Sequence, residues 1–129
     1  MHPLRIGPAL AAAALVAAVA AAPSPARTAD SSALHRCRLT QRETEHFGPT
    51  YVTSISVAHV SCTTAKSVVR AFHRCRKAHG GVKGHCPTST SVLGFHCRER
   101  RVAIKTQFSS KVTCAAGTRR VVHTYTQFT

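Results

Sequence analysis

Six cysteines in 129 residues are the feature that most restricts what this chain can fold into. Near the N-terminus, Arg5 precedes an Ala-rich apolar run from Ala9 to Ala22, a pattern typical of an export signal. The run is too short and too weakly apolar to span a bilayer core of about 30 Å. An even number of cysteines in an exported chain indicates disulfides, so we expect three of them and a secreted or cell-envelope location.

Cleavage of this export signal would leave a folded domain of limited size. We predict a signal peptide over residues 1–22, cleaved between residues 21 and 29, and a flexible spacer over residues 23–36. Residues 37–129 are then predicted to form a single small domain with a modest apolar core. Three disulfides, each contributing about 2–4 kcal/mol, would compensate for that small core.

The segment Ser61–Gly81 carries the clearest periodic pattern. Its apolar residues recur at steps of three and four, which places them on one helix face; they are Cys62, Ala65, Val68, Val69, Phe72 and Cys75. The opposite side is predicted to hold Lys66, Arg70, His73, Arg74 and Lys77. Ser61 suits an N-cap and Gly80–Gly81 suit a C-terminal stop, so the pattern predicts an amphipathic helix.

The remaining pattern alternates with a period of two, which is typical of strands. The predicted strands are Tyr51–Val57, Val92–Arg98, one long strand Val102–Cys114 bent at Ser109–Ser110, and Arg119–Phe128. The charged run Arg98–Arg101 is predicted to be a connection, and Ala115–Thr118 a hairpin loop. We therefore predict an α+β fold in the order β-α-β-β-β, with one helix packed on a roughly four-stranded, mostly antiparallel sheet.

Helix geometry restricts how the cysteines pair. Cys62 and Cys75 would lie about 20 Å apart along the helix, which is too far for a disulfide. A right-handed crossover would make strand Val92–Arg98 parallel to the first strand and bring its cysteine to the start of the helix. The predicted disulfides are Cys75–Cys86 across a short loop, Cys62–Cys97 from the crossover, and Cys37–Cys114 by elimination.

Positive charge is the strongest functional signal. Without residues 1–29 the chain keeps sixteen Lys and Arg against four carboxylates, a net charge of about +12. The candidate binding residues form three clusters: Arg70, Arg74 and Lys77 on the helix, Arg98, Arg100 and Arg101 in the connection, and Arg119 and Arg120 beside the hairpin turn. We expect a non-enzymatic exported domain that binds an anionic polymer or surface, such as a cell-wall polymer, a polysaccharide or a nucleic acid.

Nucleic-acid binding by base stacking also needs exposed aromatic rings. The chain has five Phe, two Tyr and no Trp, and the alternation predicts that Phe72 and Phe95 face the core. Tyr125 is therefore the one ring that we expect to point outward.

Two other functions remain open. The first is a protein-interaction or inhibitor domain that contacts a secreted protein through the loop Gly80–Ser91. The second is a small ribonuclease, in which two histidines and a lysine act as base, acid and charge stabiliser. The residues available for that role are His73, His96 and His123, with Lys105 or Lys111.

Motifs for other chemistry are missing from the sequence. A zinc site would gather Cys75, His79, His85 and Cys86, but their spacing fits no strong zinc signature. The sequence has no Gly-rich phosphate loop, C-x-x-C pair or G-x-S-x-G elbow. We therefore expect no catalytic residue, metal or cofactor.

Three segments from Thr53 onward share a pattern with known proteins: TSISVAHVSCTTAKSVVRAFHRC, VLGFHC and TQFSSKVTCAAGTRRVVHTYTQF. The pattern, V-S-C-x-x-A-x-x-V-V-R-x-F, then G-F-x-C, then V-x-C-x-x-G-x-R-x-V, resembles small secreted proteins of high-GC actinobacteria and covers about three-quarters of the mature chain. Its motifs are cysteines, a helix face and a hairpin. The resemblance therefore implies a fold but no functional residue, and Cys75 and Cys86 are additions to the pattern.

Overall fold

The computed structural model describes residues 21–22 and 33–129. Most of the predicted signal peptide and most of the predicted spacer lie outside the described residues. The elements are β1 (His35–Arg36), α1 (Gln41–Thr44), β2 (Tyr51–Ala58), α2 (Cys62–Ala78), a 3₁₀ turn (Gly81–Lys83), β3 (Ser91–Val92), β4 (Phe95–Ile104), β5 (Gln107–Ala116) and β6 (Arg119–Phe128).

The fold is α+β, with one main helix and one antiparallel sheet, as the sequence predicts. The sheet has six strands in the order β1-β2-β6-β5-β4-β3, whereas the sequence predicts about four. The difference includes the short strands β1 and β3 at the two edges, each of two residues. Strands this short leave no alternation to detect, and β1 lies in the stretch predicted to be a spacer.

The chain crosses the sheet once and then returns strand by strand. After β2, helix α2 carries the chain to the far edge, and β4, β5 and β6 form a meander that ends against β2. Because every pairing is antiparallel, β4 runs opposite to β2. The prediction that Val92–Arg98 runs parallel to the first strand is therefore wrong.

The turn between β4 and β5 lies later than the sequence predicts. The run Arg98–Arg101, predicted to be a connection, forms the middle of β4, and the chain turns at residues 105–106. Val102–Cys114 is accordingly not one strand. This turn contains no Gly, Pro, Asn or Asp, so the usual turn signals are missing.

Helix α2 follows the prediction closely. Ser61 caps it, and the Ser61 hydroxyl accepts a hydrogen bond from the backbone N–H of Thr64 at 3.1 Å. Beyond the helix, Gly80 adopts a φ of +128°, a conformation that favours glycine. The apolar residues of α2 pack on one side of the sheet, which we call the inner face; the other side is the open face.

The core lies between α2 and the inner face. The fully buried apolar side chains are Val52, Ile55, Ala65, Val68, Val69, Phe72, Phe95, Val112, Val121 and Tyr125. His73, predicted to lie on the solvent side of α2, is buried among them. Its position four residues after Val69 places it on the apolar face, which the spacing rule permits.

The disulfides confirm one prediction and overturn two. Cys75–Cys86 closes the loop after α2, as predicted. The predicted bridges Cys62–Cys97 and Cys37–Cys114 are wrong, because the bridges are Cys37–Cys62 and Cys97–Cys114. Cys97 and Cys114 lie directly opposite each other on β4 and β5, with Cα atoms 4.0 Å apart. The turn at residues 105–106 lies midway between these cysteines, so the β4–β5 hairpin brings the pair together, whereas a connection at Arg98–Arg101 would separate it.

Gly84 allows the loop after α2 to pack against the helix end. A Cβ atom at this position would lie 2.1 Å from the carbonyl oxygen of Arg76 and 2.9 Å from that of His79. We expect Gly84→Ala to lower the free energy of unfolding by about 3 kcal/mol, because backbone atoms cannot move aside cheaply. Urea unfolding measures this value.

Gly117→Ala is the matched control. Gly117 has a φ of +61°, but a Cβ atom at this position would have no neighbouring atom within 4 Å. Its cost is therefore the backbone conformation alone, about 1 kcal/mol. Equal losses for the two variants would contradict the close packing of the loop on α2.

Candidate functional site

Strand β4 divides its charged residues between the two sheet faces. Arg98 and Arg100 are exposed on the open face, while Glu99 and Arg101 point to the inner face, like Phe95 and Cys97. The sequence predicts that Arg98, Arg100 and Arg101 form one basic cluster, but the alternation of the strand places Arg101 on the opposite face from the other two.

The open face gathers cations from several strands. Lys111 on β5 lies directly opposite Arg100, and Arg98 lies two residues along β4. Arg36 on β1 and Arg120 on β6 belong to the same face, because their partners Ser56 and Ala115 alternate with inward-facing residues. A pocket of about 370 Å³ is lined by Arg98, Arg100, Lys111 and Thr113. We call Arg36, Arg98, Arg100, Lys111 and Arg120 the open-face cations.

Glu99 is the only acidic residue in the six strands, and it points away from the open face. Its carboxylate accepts hydrogen bonds from Arg101 Nε at 2.8 Å, from Ser110 Oγ at 2.8 Å and from the Tyr125 hydroxyl. Burial alone would raise the pKa of Glu99, but these hydrogen bonds outweigh it and hold the pKa below the ordinary value. The carboxylate is therefore ionised and bound within the inner face.

The Arg101 guanidinium is hydrogen-bonded to this carboxylate, so it is not available to bind a ligand. Its guanidinium donates to the backbone carbonyls of Lys83, at 2.8 Å, and of Gly84, and it lies 4.2 Å from the centre of the Phe108 ring. This arrangement ties the loop after α2 to β4, and the charge of Arg101 is balanced by Glu99.

The other predicted basic residues lie in separate places. Arg74 and Lys77 are exposed on the outer side of α2, and Arg70 lies over the Phe47 ring. Arg119 lies over Phe95, 4.9 Å from the ring centre. Of the eight predicted binding residues, the open face therefore brings together Arg98, Arg100 and Arg120.

Lys111 and Arg36 complete the open face and are missing from the predicted binding set. Lys111 lies one residue before the inward-facing Val112, so strand alternation alone indicates its outward position. Arg36 belongs to a strand of two residues, which the sequence does not indicate.

Two aromatic rings also lie on the open face, and neither is the predicted one. Tyr125 is fully buried on the inner face, where its hydroxyl donates a hydrogen bond to Glu99. Tyr51 and Phe128 instead pack edge to face at one corner of the open face, with ring centres 5.8 Å apart. Phe128 is 51% exposed.

Beneath α2, a buried polar chain crosses the core. Arg76 Nε donates to His73 Nδ1 at 3.2 Å, and His73 Nε2 lies 3.1 Å from His123 Nε2. The Arg76 guanidinium also donates to the Val82 carbonyl at 2.5 Å and to Gln127 Oε1 at 2.9 Å. All its groups are shielded from solvent.

Hydrogen bonding fixes the proton positions in this chain. An arginine can only donate, so His73 Nδ1 accepts and His73 Nε2 carries the proton that it donates to His123 Nε2. His123 Nδ1 then carries a proton, and it is the buried side-chain atom without a partner in the described part of the chain. Burial, reinforced for His73 by its charged neighbours, lowers the pKa of His73 to about 2, and burial lowers that of His123 to about 3. Both rings are therefore neutral near pH 7.

The histidines proposed for a ribonuclease do not form a cleft. His73 and His123 are buried in the core, whereas His96 is exposed on the open face. Of the residues considered for a zinc site, Cys75 and Cys86 form a disulfide with each other and so have no thiolate to bind a metal ion. Over residues 21–22 and 33–129, no three His, Cys, Asp or Glu side chains are grouped closely enough to hold a metal ion.

Comparison of this chain with protein-family models, with curated proteins and with solved structures gives no match. Among the described residues, no helix has both the length and the apolar composition needed to cross a membrane.

The buried histidine pair predicts a loss of stability in mild acid. Below about pH 6.5 the unfolded chain takes up protons that the folded chain excludes, so stability is full above that pH and falls toward the folded pKa values. We expect the free energy of unfolding to fall by about 4 kcal/mol between about pH 7 and pH 5, about 2 kcal/mol for each ring. Urea titrations at both pH values measure it.

Two variants locate the effect. His123→Leu should lose about half of the pH dependence, whereas His96→Gln, at an exposed position, should keep it. A free energy of unfolding that stays constant over this pH range in the unmodified protein would show that the pair is not buried as neutral rings.

Proposed function

We propose that this protein binds an anionic polymer on its open sheet face, with Arg98, Arg100 and Lys111 at the centre. The observation that carries the proposal is the segregation of charge in the sheet. Five exposed cations share the open face, while the one carboxylate of the strands is buried against the other face.

The central cations repel one another in the unbound protein. Arg100 and Lys111 are directly opposite on neighbouring strands, and like charges in that position destabilise a sheet. No acidic side chain of the strands lies beside them to offset this cost. A bound anion would relieve the repulsion and gain charge-assisted hydrogen bonds, which supports an anionic ligand at this place.

The spread of the cations supports a polymer over a small anion. From Arg98 on β4 to Arg36 on β1 the face crosses four strand intervals, or about 19 Å. Hydroxyl groups lie between them, including Thr53 and Ser54, whose oxygens lie 2.5 and 2.6 Å from the Thr124 hydroxyl. A chain of repeating anionic groups can contact both ends of such a face at once.

The export pattern fits this function. The predicted signal peptide and three disulfides are typical of a protein that works outside the cell. We therefore place the proposed binding in the secreted or cell-envelope compartment, as a non-enzymatic activity.

Salt-dependent binding tests the proposal. We expect affinity for a fluorescent heparin oligosaccharide to fall about 20- to 100-fold between about 50 and 200 mM salt, as three to five cations release counterions. The variant Arg98→Ala/Arg100→Ala/Lys111→Ala should lose at least about tenfold in affinity at low salt and about 2 in the slope of log K against log salt.

The matched control removes the same charge elsewhere. Arg74→Ala/Lys77→Ala/Lys83→Ala replaces three exposed cations outside the open face and should bind nearly as the unmodified protein does. If the two triple variants lose the same affinity, net charge rather than the open face explains the binding.

A second candidate function is a protein-interaction domain that uses the loop Gly80–Ser91. This loop is held by Cys75–Cys86 and by Arg101, and it exposes 47% of Val82. Because the loop is restrained before binding, it loses little conformational entropy on binding, which favours recognition of a folded partner. A single stoichiometric protein partner, retained at high salt and lost in Val82→Asp, would favour this candidate.

A further inference from the structure

One corner of the open face is apolar. Val102 and Ile104 on β4 are 75% and 64% exposed, and Phe128 on β6 is 51% exposed. These are three of the six large hydrophobic side chains exposed in the described part of the chain. Together with Tyr51 they form what we call the corner patch.

The corner patch continues the rows of the cationic surface. Ile104, Gln107 and Phe128 are paired across β4, β5 and β6, and the next row holds Val102, Ser109, Thr126 and Tyr51. The following row holds Arg100, Lys111 and Thr124. Aromatic rings and cations therefore lie on one surface, with Phe128 about 14 Å along β6 from the row of Lys111.

We propose that the anionic polymer is a single-stranded nucleic acid, whose phosphates contact the open-face cations while its bases stack on the corner patch. This inference rests on the proposed function and names the polymer. Surfaces that bind single strands combine a cationic track with aromatic rings on which bases stack. The open face has both components within the length of a few nucleotides.

The corner patch decides between polymers that share negative charge. A phosphate-rich wall polymer or a sulfated polysaccharide would use the cations but has no aromatic group to stack on Phe128. A base has such a group, and its contact with Phe128 and the half-buried Tyr51 would cover the exposed part of these rings.

The shape of the face favours a flexible single strand over a duplex or a membrane. Bases in a duplex are stacked on each other, so their faces cannot reach the rings. Val102, Ile104 and Phe128 lie in the plane of the sheet with the cations, not on a protruding loop, so they are poorly placed to enter a bilayer.

Base-free and base-bearing strands of equal charge give a direct test. Fluorescence anisotropy compares labelled oligo(dT) of about twelve nucleotides with an abasic phosphodiester strand of the same length, at low salt. We expect oligo(dT) to bind at least about tenfold more tightly, because the abasic strand lacks the stacking contacts. A hybridised duplex of the same length should bind no better than the abasic strand.

Two variants assign the difference to the corner patch. Phe128→Ala should reduce the preference for oligo(dT) to within about threefold and leave abasic binding unchanged. Its backbone anchors remain, since the Phe128 N–H donates to the Thr50 hydroxyl at 2.9 Å. Leu93→Ala, at another exposed apolar position outside the corner patch, should change neither affinity.

The outcomes separate the two proposals. Equal binding of oligo(dT) and the abasic strand, or tightest binding of the duplex, would overturn the nucleic-acid inference and leave polymer binding intact. If none of these ligands binds at low salt, the proposed function itself fails. The comparison on the unmodified protein decides the inference even if Phe128→Ala does not fold.

Discussion

The hydrogen bonding of the buried Glu99 carboxylate is the interaction on which the distribution of charge between the two sheet faces depends. The carboxylate accepts hydrogen bonds from Arg101, Ser110 and Tyr125, residues of three neighbouring strands, and so fixes which side of β4 faces the helix. A shift of one residue would move every side chain of β4 to the other face. Glu99 would then lie on the open face while Arg98 and Arg100 pointed into the core, so this buried contact and the exposed cationic surface have the same structural origin.

The core beneath α2 is stabilised by polar contacts as well as apolar burial. Arg76 is fully buried, and its hydrogen bonds to His73, Gln127 and the Val82 carbonyl join the helix to β6 and to the loop that follows. Each donor of such a group must be satisfied, because an unpaired buried charge is strongly destabilising. The same contacts hold the loop near Arg101, so the helix end, the loop and strand β4 are connected through arginines.

Sequence patterns predict the parts of this fold that repeat over many residues. Helix α2 is recovered because its apolar face spans four turns, and the disulfide Cys75–Cys86 follows from its short loop. The error in β4 arises because Arg98–Arg101 is as charged as a loop, although neighbouring residues face opposite sides of the sheet. That error shifted the hairpin turn, and the assumed parallel crossover mispaired two disulfides. Burial of His73 and Arg76 depends on partners from β6, which helical spacing alone cannot indicate.

The central claim is that polyanions bind to the open face and not to the helix side. Amide chemical shifts of ¹⁵N-labelled protein, followed during titration with oligo(dT) at low salt, test it residue by residue. The largest shifts are expected at Arg98, Arg100, Lys111 and Thr124, with little change at Arg74 and Lys77 on α2. Shifts concentrated on α2, or spread evenly over all exposed basic residues, would contradict it.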